Sequence, residues 1–448
     1  MKRKPLFNIK LSLGAVLMVF GSLSINAQQQ VTLQEAIAQA LQNKVEAKKA
    51  ALEIKKAEYK IDEARAGALP QISATGSLTY NPIIQESLLE FGGQRIIAQM
   101  GQPWGSNISA SVYQTLFDQR VFTGLKAAKS TREFYVINAQ LTNEQIIENV
   151  ATAYYQVFVQ EENLRTINAS YANTEKVRNI IKSLVDNGLA KAIDLDRTNV
   201  QLTNIGSNKQ QLVNAVDLAK NALKFYVGIP MNTPIELEEK KIEPKPELLA
   251  TQANLEDRSE IKVLNKQKEL LVYNKKATEA LLYPTVALQG NYGWAGMGAK
   301  FPLTNGLSNN VLWSDFAAVG LNVNIPIFTG GATKAKIAQT QIDIENLEQD
   351  LDNTKQSLDL DYRNAVTNIE NALINLQSMK ENVGLAEKVQ SNTQHNYQYG
   401  LATLTELLDA ENALTQAKQN HANALLDYKQ AEIKLIKAKG QLNTLQQP

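Results

Sequence analysis

Apolar residues recur at alternating steps of three and four along two long stretches of the chain. Steps of three and four place residues on one side of a helix, and a pattern sustained over several heptads predicts helices that pack lengthwise on one another. Proline, the strongest helix breaker, is absent from 104–229 and 327–447. The seam comprises Leu407, Ala410, Leu414, Ala417, His421, Ala424, Tyr428, Ala431, Leu435, Ala438 and Leu442 in the second half, and Leu195, Thr198, Leu202, Ile205, Lys209, Leu212, Val216, Ala219 and Leu223 in the first, with polar His421 and Lys209 at matching positions.

Each helical stretch is predicted to break at a glycine that begins the same tripeptide sequence. Gly188 and Gly400 each begin Gly-Leu-Ala, and glycine is the usual residue just after a helix end. Each half is therefore predicted to form an antiparallel helical hairpin. At about 1.5 Å per residue, a helix over 332–399 is roughly 100 Å long. A compact bundle of ordinary helices is the alternative, but helices of that length are rare in such bundles.

Four shorter segments alternate apolar and polar residues, as in β-strands with one apolar face. Each is about as long as a tilted membrane strand, and aromatic residues lie near the segment ends, as in interfacial girdles. A soluble sheet explains one such segment, whereas four favour a membrane barrel. Because four strands cannot close a barrel in lipid, several copies must combine, and three copies would supply twelve strands. The predicted strands are 70–80, 107–117, 284–294 and 315–327, and 81–106 and 295–312 are predicted to be exposed loops.

The two halves repeat one plan. Glu-Lys-Val precedes Gly-Leu-Ala at the same spacing in both, at 175–177 and 387–389. The sequence therefore predicts two structural repeats, each with a helix, a strand pair and a long hairpin. They span 28–230, with a tip near 188, and 254–448, with a tip near 400; residues 231–253 form a connector between them.

Residues 1–27 have the pattern of a secretory signal peptide. Basic residues precede a short apolar run, and a small residue, Ala27, precedes the predicted cleavage site. An N-terminal membrane anchor is the alternative, but the run from Leu11 to Leu23 is shorter than the roughly 20 residues of a spanning helix.

Composition excludes several kinds of protein. Lys and Arg total 46 against 45 Asp and Glu, a net charge of +1, which argues against nucleic-acid binding. The chain has no cysteine, so thiol chemistry and a cysteine-linked lipid are excluded. Its two histidines, His395 and His421, are too few for the usual three- or four-ligand zinc site. No enzyme, cofactor or metal site is predicted.

These features together identify a family. The segments Ile325-Pro326-Ile327-Phe328-Thr329-Gly330-Gly331 and 400–410, with the signal peptide and duplicated plan, resemble the TolC family of outer-membrane efflux proteins. The resemblance implies a mainly α chain with a membrane β-barrel. Long antiparallel helical hairpins would form a trimeric α-barrel, and four strands per chain would contribute to a twelve-stranded outer-membrane β-barrel.

The function that the resemblance implies is a homotrimeric, passive exit duct with a large periplasmic portion. Its expected partners are a periplasmic adaptor, an inner-membrane transporter that supplies the energy, and outer-membrane lipid. The alternative is an exported periplasmic coiled-coil scaffold without channel activity, which explains the heptads but not the alternating strands.

The resemblance also implies site residues. Acidic residues six and nine positions after the second tip glycine would close the periplasmic entrance. An acidic residue six positions after the first tip glycine and a tyrosine three positions before the second would belong to the same site. Three copies of these acids around one axis would favour cations. A basic residue that some members carry two positions after the second glycine is replaced here by Ala402. The gate residues are Asp194, Tyr397, Glu406 and Asp409, and the adaptor-contact tips are Gly188, Leu189 and Ala190 and Gly400, Leu401 and Ala402.

Overall fold

The structure is a computed structural model that describes residues 29–238, 254–303 and 311–446. The predicted signal peptide and residues 239–253 of the predicted connector lie outside the described residues. None of the helices within the described ranges is long and apolar enough to cross a membrane. The elements are β1 (Gln29–Val31), α1 (Leu33–Asn43), α2 (Val45–Ala66), β2 (Gln71–Tyr80), β3 (Glu86–Phe91), β4 (Gln94–Gln99), β5 (Trp104–Phe117), α3 (Gln119–Asp186), α4 (Ala192–Val227), β6 (Ile235–Leu237), α5 (Ser259–Glu279), β7 (Thr285–Gly298), β8 (Val311–Asn324), α6 (Ala332–Gln398) and α7 (Leu404–Ala438).

The two predicted helical hairpins are present. Helices α3 and α6 contain 68 and 67 residues, so each is about 100 Å long. Their return helices run antiparallel to them, since Lys220 of α4 pairs with Glu161 of α3 at 2.7 Å and Lys418 of α7 pairs with Glu387 of α6 at 3.0 Å. Each return helix covers only about half of its long partner.

In each hairpin a second, shorter helix covers the other half of the long helix. Helix α2 continues the line of α4 along α3, and α5 continues the line of α7 along α6. At the first junction Gly228 has φ 77°, and a Cβ there would lie 3.3 Å from the Lys44 backbone nitrogen. At the second junction Gly440 has φ 70° and its added Cβ would lie 3.4 Å from Cδ of Arg258. Glycine thus provides both the left-handed helix end and the close approach of the next helix.

The helices form a row whose order follows from these contacts: α2 with α4, then α3, then α5 with α7, and finally α6. The strands of the four-stranded sheet follow a matching order, β2-β5-β7-β8, and every neighbouring pair of strands is antiparallel. The outermost strands β2 and β8 therefore continue into the outermost lines of helices. This common order gives the protomer two lateral edges.

The strand ends differ from the predicted ones. Strand β5 begins at Trp104 rather than 107, β7 continues to Gly298 rather than 294, and β8 spans Val311–Asn324 rather than 315–327. The sheet extends further at its outer end because Trp313 packs against the strand at Gly296, where a Cβ would lie 2.6 Å from the indole ring. At its inner end β8 stops before Pro326, which has no N–H for the ladder.

Residues 81–106, predicted to be a loop, contain a β-hairpin. Strands β3 and β4 pair antiparallel, and the two-residue turn consists of Gly92 and Gly93 with φ 61° and 80°. Positive φ at both turn positions is the type I′ geometry that matches the twist of hairpin strands. Apolar doublets at 88–89 and 96–97 hide the alternation on which strand prediction depends.

The largest apolar core lies midway along the helices. Helix α1 begins with a capping box between Thr32 and Glu35, and its buried face packs against α3 and α4. The short parallel pair β1–β6 closes this core, and the Tyr154 hydroxyl donates to the Val31 carbonyl at 3.2 Å. Burial raises the pKa of Tyr154 to about 12. The core members include Ile37, Ile147, Val150, Val157, Leu223 and Ile433.

Candidate functional site

The predicted tips are two matching turns at the end of the hairpins farthest from the sheet. The Leu189 N–H donates to the Leu184 carbonyl at 2.7 Å, and the Leu401 N–H donates to the Asn396 carbonyl at 2.8 Å. With the tip glycines at φ 73° and 75°, these are Schellman helix ends. The geometry leaves Leu189 and Leu401 77% and 76% exposed.

Glu406 caps helix α7. Its carboxylate accepts from the Thr403 N–H at 2.7 Å, and the Thr403 hydroxyl accepts from the Glu406 N–H at 3.2 Å. These reciprocal bonds form a capping box, and the bond from the Thr403 backbone lowers the pKa of Glu406. The sequence carried this signal in Thr403-Leu404-Thr405-Glu406. The Glu406 carboxylate is therefore held at its own turn, and Asp409 lies one helical turn further on; both side chains are exposed.

Two of the other predicted gate residues come close together across the hairpins. Asp194 lies in the first turn of α4 and Tyr397 in the last turn of α6, and both are half-buried. Burial, and then the negative charge of Asp194, raise the pKa of Tyr397. The phenol therefore keeps its proton and remains a hydrogen-bond donor at neutral pH.

A basic residue that the sequence analysis missed also lies here. The Arg197 guanidinium of α4 donates to the Thr405 hydroxyl of α7 at 3.4 Å, and one turn further Gln201 donates to Asn412. The sequence repeat could have revealed this residue, because Arg197 and Asp409 both stand nine positions after their tip glycines. The first hairpin thus places a positive charge where the second places a negative one.

Above the tips the contact between hairpins includes buried polar groups. The buried Glu411 carboxylate of α7 accepts from Gln390 of α6 at 3.0 Å and from Asn173 of α3 at 3.4 Å. Burial raises the pKa of Glu411 despite these bonds. Further along, the Thr415 hydroxyl donates to that of Ser170 at 3.0 Å. At this level the two hairpins are therefore joined by hydrogen bonds between partly buried side chains.

The comparisons with known proteins cover nearly the whole chain. The family model "Outer membrane efflux protein" matches residues 36–229 and 250–441. The chain belongs to this family. Outer membrane protein TolC of Salmonella enteritidis is 24% identical over 435 residues, 96% of this chain and 85% of the relative. TolC of Escherichia coli is 23% identical over 438 residues, 96% and 86% of the two chains.

Solved structures show the same fold. The outer membrane protein VceC of Vibrio cholerae superposes with a TM-score of 0.71 at 20% identity, covering 91% of this chain and 96% of that one. The Campylobacter jejuni CmeC outer membrane channel has a TM-score of 0.71 at 14% identity, covering 98% and 94%. Both are similar to this chain along nearly their whole length.

Membership of the outer membrane efflux protein family confirms the predicted function and location. The protein is an outer-membrane exit duct with a large periplasmic helical part, and no finding favours the coiled-coil scaffold. The sheet is the membrane part of this efflux protein: Ile72 on its apolar face is 76% exposed, while Thr75 and Ser109 bond across the polar face at 3.2 Å. The tips lie at the opposite, periplasmic end.

Proposed function

We propose that three copies of the chain close side by side into one continuous duct, which receives substrates from a periplasmic adaptor and an inner-membrane transporter. The observation that carries this proposal is the pair of lateral edges. In the described part of the chain, β2 and β8 each pair with only one strand. Unpaired backbone groups in lipid cost several kcal/mol each, and pairing β8 of one copy with β2 of the next removes both edges.

The outermost helices carry apolar residues that support the same closure. On each outermost line these residues are more than half exposed and recur at multiples of about one helical turn, so they form one stripe. Such stripes are typical of helices that pack on a partner. The stripe on α4 and α2 contains Ile193, Val200, Leu218, Phe225, Val45, Leu52 and Tyr59, and that on α6 contains Ile342, Leu360, Ile374, Leu385 and Val389.

Charge on these stripes should weaken the trimer. Leu218 and Ile374 stand 30 and 26 residues from their tip glycines, at similar heights on opposite edges. We expect Leu218→Glu with Ile374→Glu to lower the temperature at which the trimer dissociates, because carboxylates would enter each apolar seam. Native mass measurement of the detergent-solubilised protein over a temperature series tests this.

Ile180→Glu is the matched control, since Ile180 is 57% exposed but lies on α3, inside the row. It should leave dissociation unchanged. A folded native protein that is monomeric in detergent, or equal behaviour of the double variant and the control, would contradict ring closure.

We further infer that the two tips bind the adaptor and that Asp194, Tyr397, Glu406 and Asp409 line the closed entrance. Leu189 and Leu401 are the apolar side chains that the matched turns present to the periplasm. Two equivalent exposed leucines on neighbouring hairpins suit a partner that binds as several copies arranged around the trimer.

Replacing Leu189 and Leu401 together by Glu should abolish efflux while the trimer still assembles, because charge would have to be desolvated at every tip contact. Drug accumulation in cells is the readout, with native mass as the assembly check. The double change to Met keeps the tips apolar and should retain efflux. Unchanged efflux in the Glu variant would show that the adaptor binds elsewhere.

A further inference from the structure

A cleft of about 280 Å³ opens between α3 and α5 at the periplasmic edge of the sheet. Helix α3 begins at Gln119, directly after β5, and β7 begins at Thr285, shortly after α5, so the cleft lies directly below the strands. Each helix lines it with residues spaced by about one turn, which share one face. We call it the α3–α5 cleft. Its lining includes Phe122, Lys126, Tyr273, Lys276, Glu279 and Tyr283.

The α3–α5 cleft opens on the lipid-facing side of the chain. A β-bulge after Thr115 brings Phe117 opposite Val286, and directly opposed residues share one face of a sheet. The strand pairing places Val286 on the same face as Ile72, which is the apolar face. Phe122 of the cleft packs on Phe117, with ring centroids 6.3 Å apart. The cleft is therefore continuous with the surface that lipid covers and not with the lumen.

The cleft carries an excess of positive charge. Lys126 and Lys276 are both exposed, and neither ammonium forms an ion pair with a carboxylate among the described residues. The one acidic residue named in the lining, Glu279, pairs with Lys275 at 3.9 Å. The Lys276 ammonium lies instead 5.7 Å from the centroid of the Tyr273 ring. Two cations are thus available to an anion that enters the cleft.

These lysines lie at the depth of lipid headgroups. Lys126 is four residues after Phe122 on α3, a rise of about 6 Å, and the headgroup layer on each side of a bilayer is about 5–8 Å thick. On α5, Lys276 likewise lies below Tyr283, and tyrosine is typical of the membrane interface. Aromatic rings therefore lie towards the membrane and ammonium groups towards the periplasm. A phospholipid of the periplasmic leaflet has the same order, with acyl chains above and phosphate below.

The neighbouring cleft between α2 and α3 has a different charge pattern. Its Lys60 pairs with Glu63 at 2.6 Å, and its Arg120 pairs with Asp118 at 2.6 Å. Both basic residues of that lining already have a carboxylate partner. The availability of its lysines distinguishes the α3–α5 cleft and makes the other cleft an internal control.

We propose that the α3–α5 cleft binds one anionic phospholipid of the periplasmic leaflet. The Lys126 and Lys276 ammonium groups donate to its phosphate oxygens, and its acyl chains lie over Phe122 and Phe117 along the sheet. A zwitterionic lipid fits less well, because its own cation would approach the two lysines. The site lies within a single chain, between lines of helices inside the row, so it does not rest on the proposed trimer.

Native mass spectrometry of the delipidated protein in detergent tests the proposal, with phosphatidylglycerol as the anionic probe. We expect one tightly bound phosphatidylglycerol per chain and weaker binding of zwitterionic phosphatidylcholine. Lys126→Gln with Lys276→Gln should weaken phosphatidylglycerol binding about 25-fold, because each lysine near a lipid surface contributes about fivefold. Equal binding of the two lipids by the native protein would overturn the proposal.

Lys60→Gln is the matched control, because it removes a lysine whose charge Glu63 already neutralises. It should bind phosphatidylglycerol as the native protein does. Equal loss in the control and the double variant would show a general effect of charge, and native affinity in the double variant would show that the lysines do not hold the lipid. Either result would overturn the lipid site. Folded monomers that still bind one phosphatidylglycerol each would overturn ring closure alone.

Inorganic phosphate separates a lipid site from a site for free anions. At millimolar concentration it should not displace phosphatidylglycerol, because it lacks the acyl chains that lie over the aromatic rings. Phe122 is 53% exposed, so Phe122→Ser should leave the fold intact and weaken lipid binding several-fold. Displacement by inorganic phosphate, or native lipid affinity in Phe122→Ser, would overturn the assignment to a phospholipid.

Discussion

Replacing Lys429 by Met should destabilise the folded protein by about 3–5 kcal/mol, the cost of leaving one partner of a buried ion pair without the other. Lys429 and Glu432 pair within α7, with side chains 6% and 8% exposed. The Lys429 ammonium also lies 5.6 Å from the Tyr155 ring centroid. Methionine preserves the length of the side chain but removes the charge, so Glu432 would remain buried and uncompensated. Chemical denaturation of the detergent-solubilised protein measures the effect.

Two further variants isolate the cause. Lys429→Met with Glu432→Leu removes both charges and should recover most of the lost stability, since replacing a whole buried pair by apolar residues is often neutral or stabilising. Lys418→Met breaks the exposed pair with Glu387, whose side chains are 39% and 52% exposed, and should cost less than about 1 kcal/mol. A double variant as unstable as Lys429→Met would show that packing, not charge, dominates here.

The sequence predicted the helices and membrane strands because each has a periodic signal. Heptad spacing marked the hairpins, and alternation marked the four strands of the main sheet. It did not predict the end-to-end junctions at Gly228 and Gly440, because those depend on contacts between segments far apart in the chain. Nor did it predict β3 and β4, where the doublets Leu88-Leu89 and Ile96-Ile97 put apolar residues on both faces.

Charged residues were the hardest to place. Lys429 and Glu432 stand three apart on a helix, the spacing of an ordinary solvated pair, and only the position of α3 against α7 buries them. At the entrance, the repeat located both tips, but the sequence analysis considered only one role for Glu406. The family resemblance implied a gate role at its position after Gly400, whereas its capping-box spacing from Thr403 was not used. The structure shows the cap in place, with the carboxylate bound to the Thr403 N–H.

These placements change the electrostatics expected of the entrance. Glu406 and Asp409 are both exposed, but one carboxylate oxygen of Glu406 is bound to its own turn by the Thr403 N–H. Arg197, at the repeat-equivalent position, adds a positive charge beside Thr405. In a closed trimer, three Asp409 carboxylates and three Arg197 guanidiniums would then alternate around the axis. Selectivity should depend on the balance of these two residues rather than on a ring of acids alone.

Asp409→Asn should therefore lower the cation selectivity of the channel and weaken block by multivalent cations from the periplasmic side, while Arg197→Gln should raise both. The changes should be larger at low salt, because screening is weaker there. Reversal potentials in planar bilayers measure them. Glu406→Ala is the matched control: it should shift selectivity less than Asp409→Asn but cost about 1 kcal/mol of stability through loss of the cap. If Asp409→Asn leaves block and selectivity as in the native channel, Asp409 belongs to a solvated helix face, and the charges that control the entrance lie elsewhere.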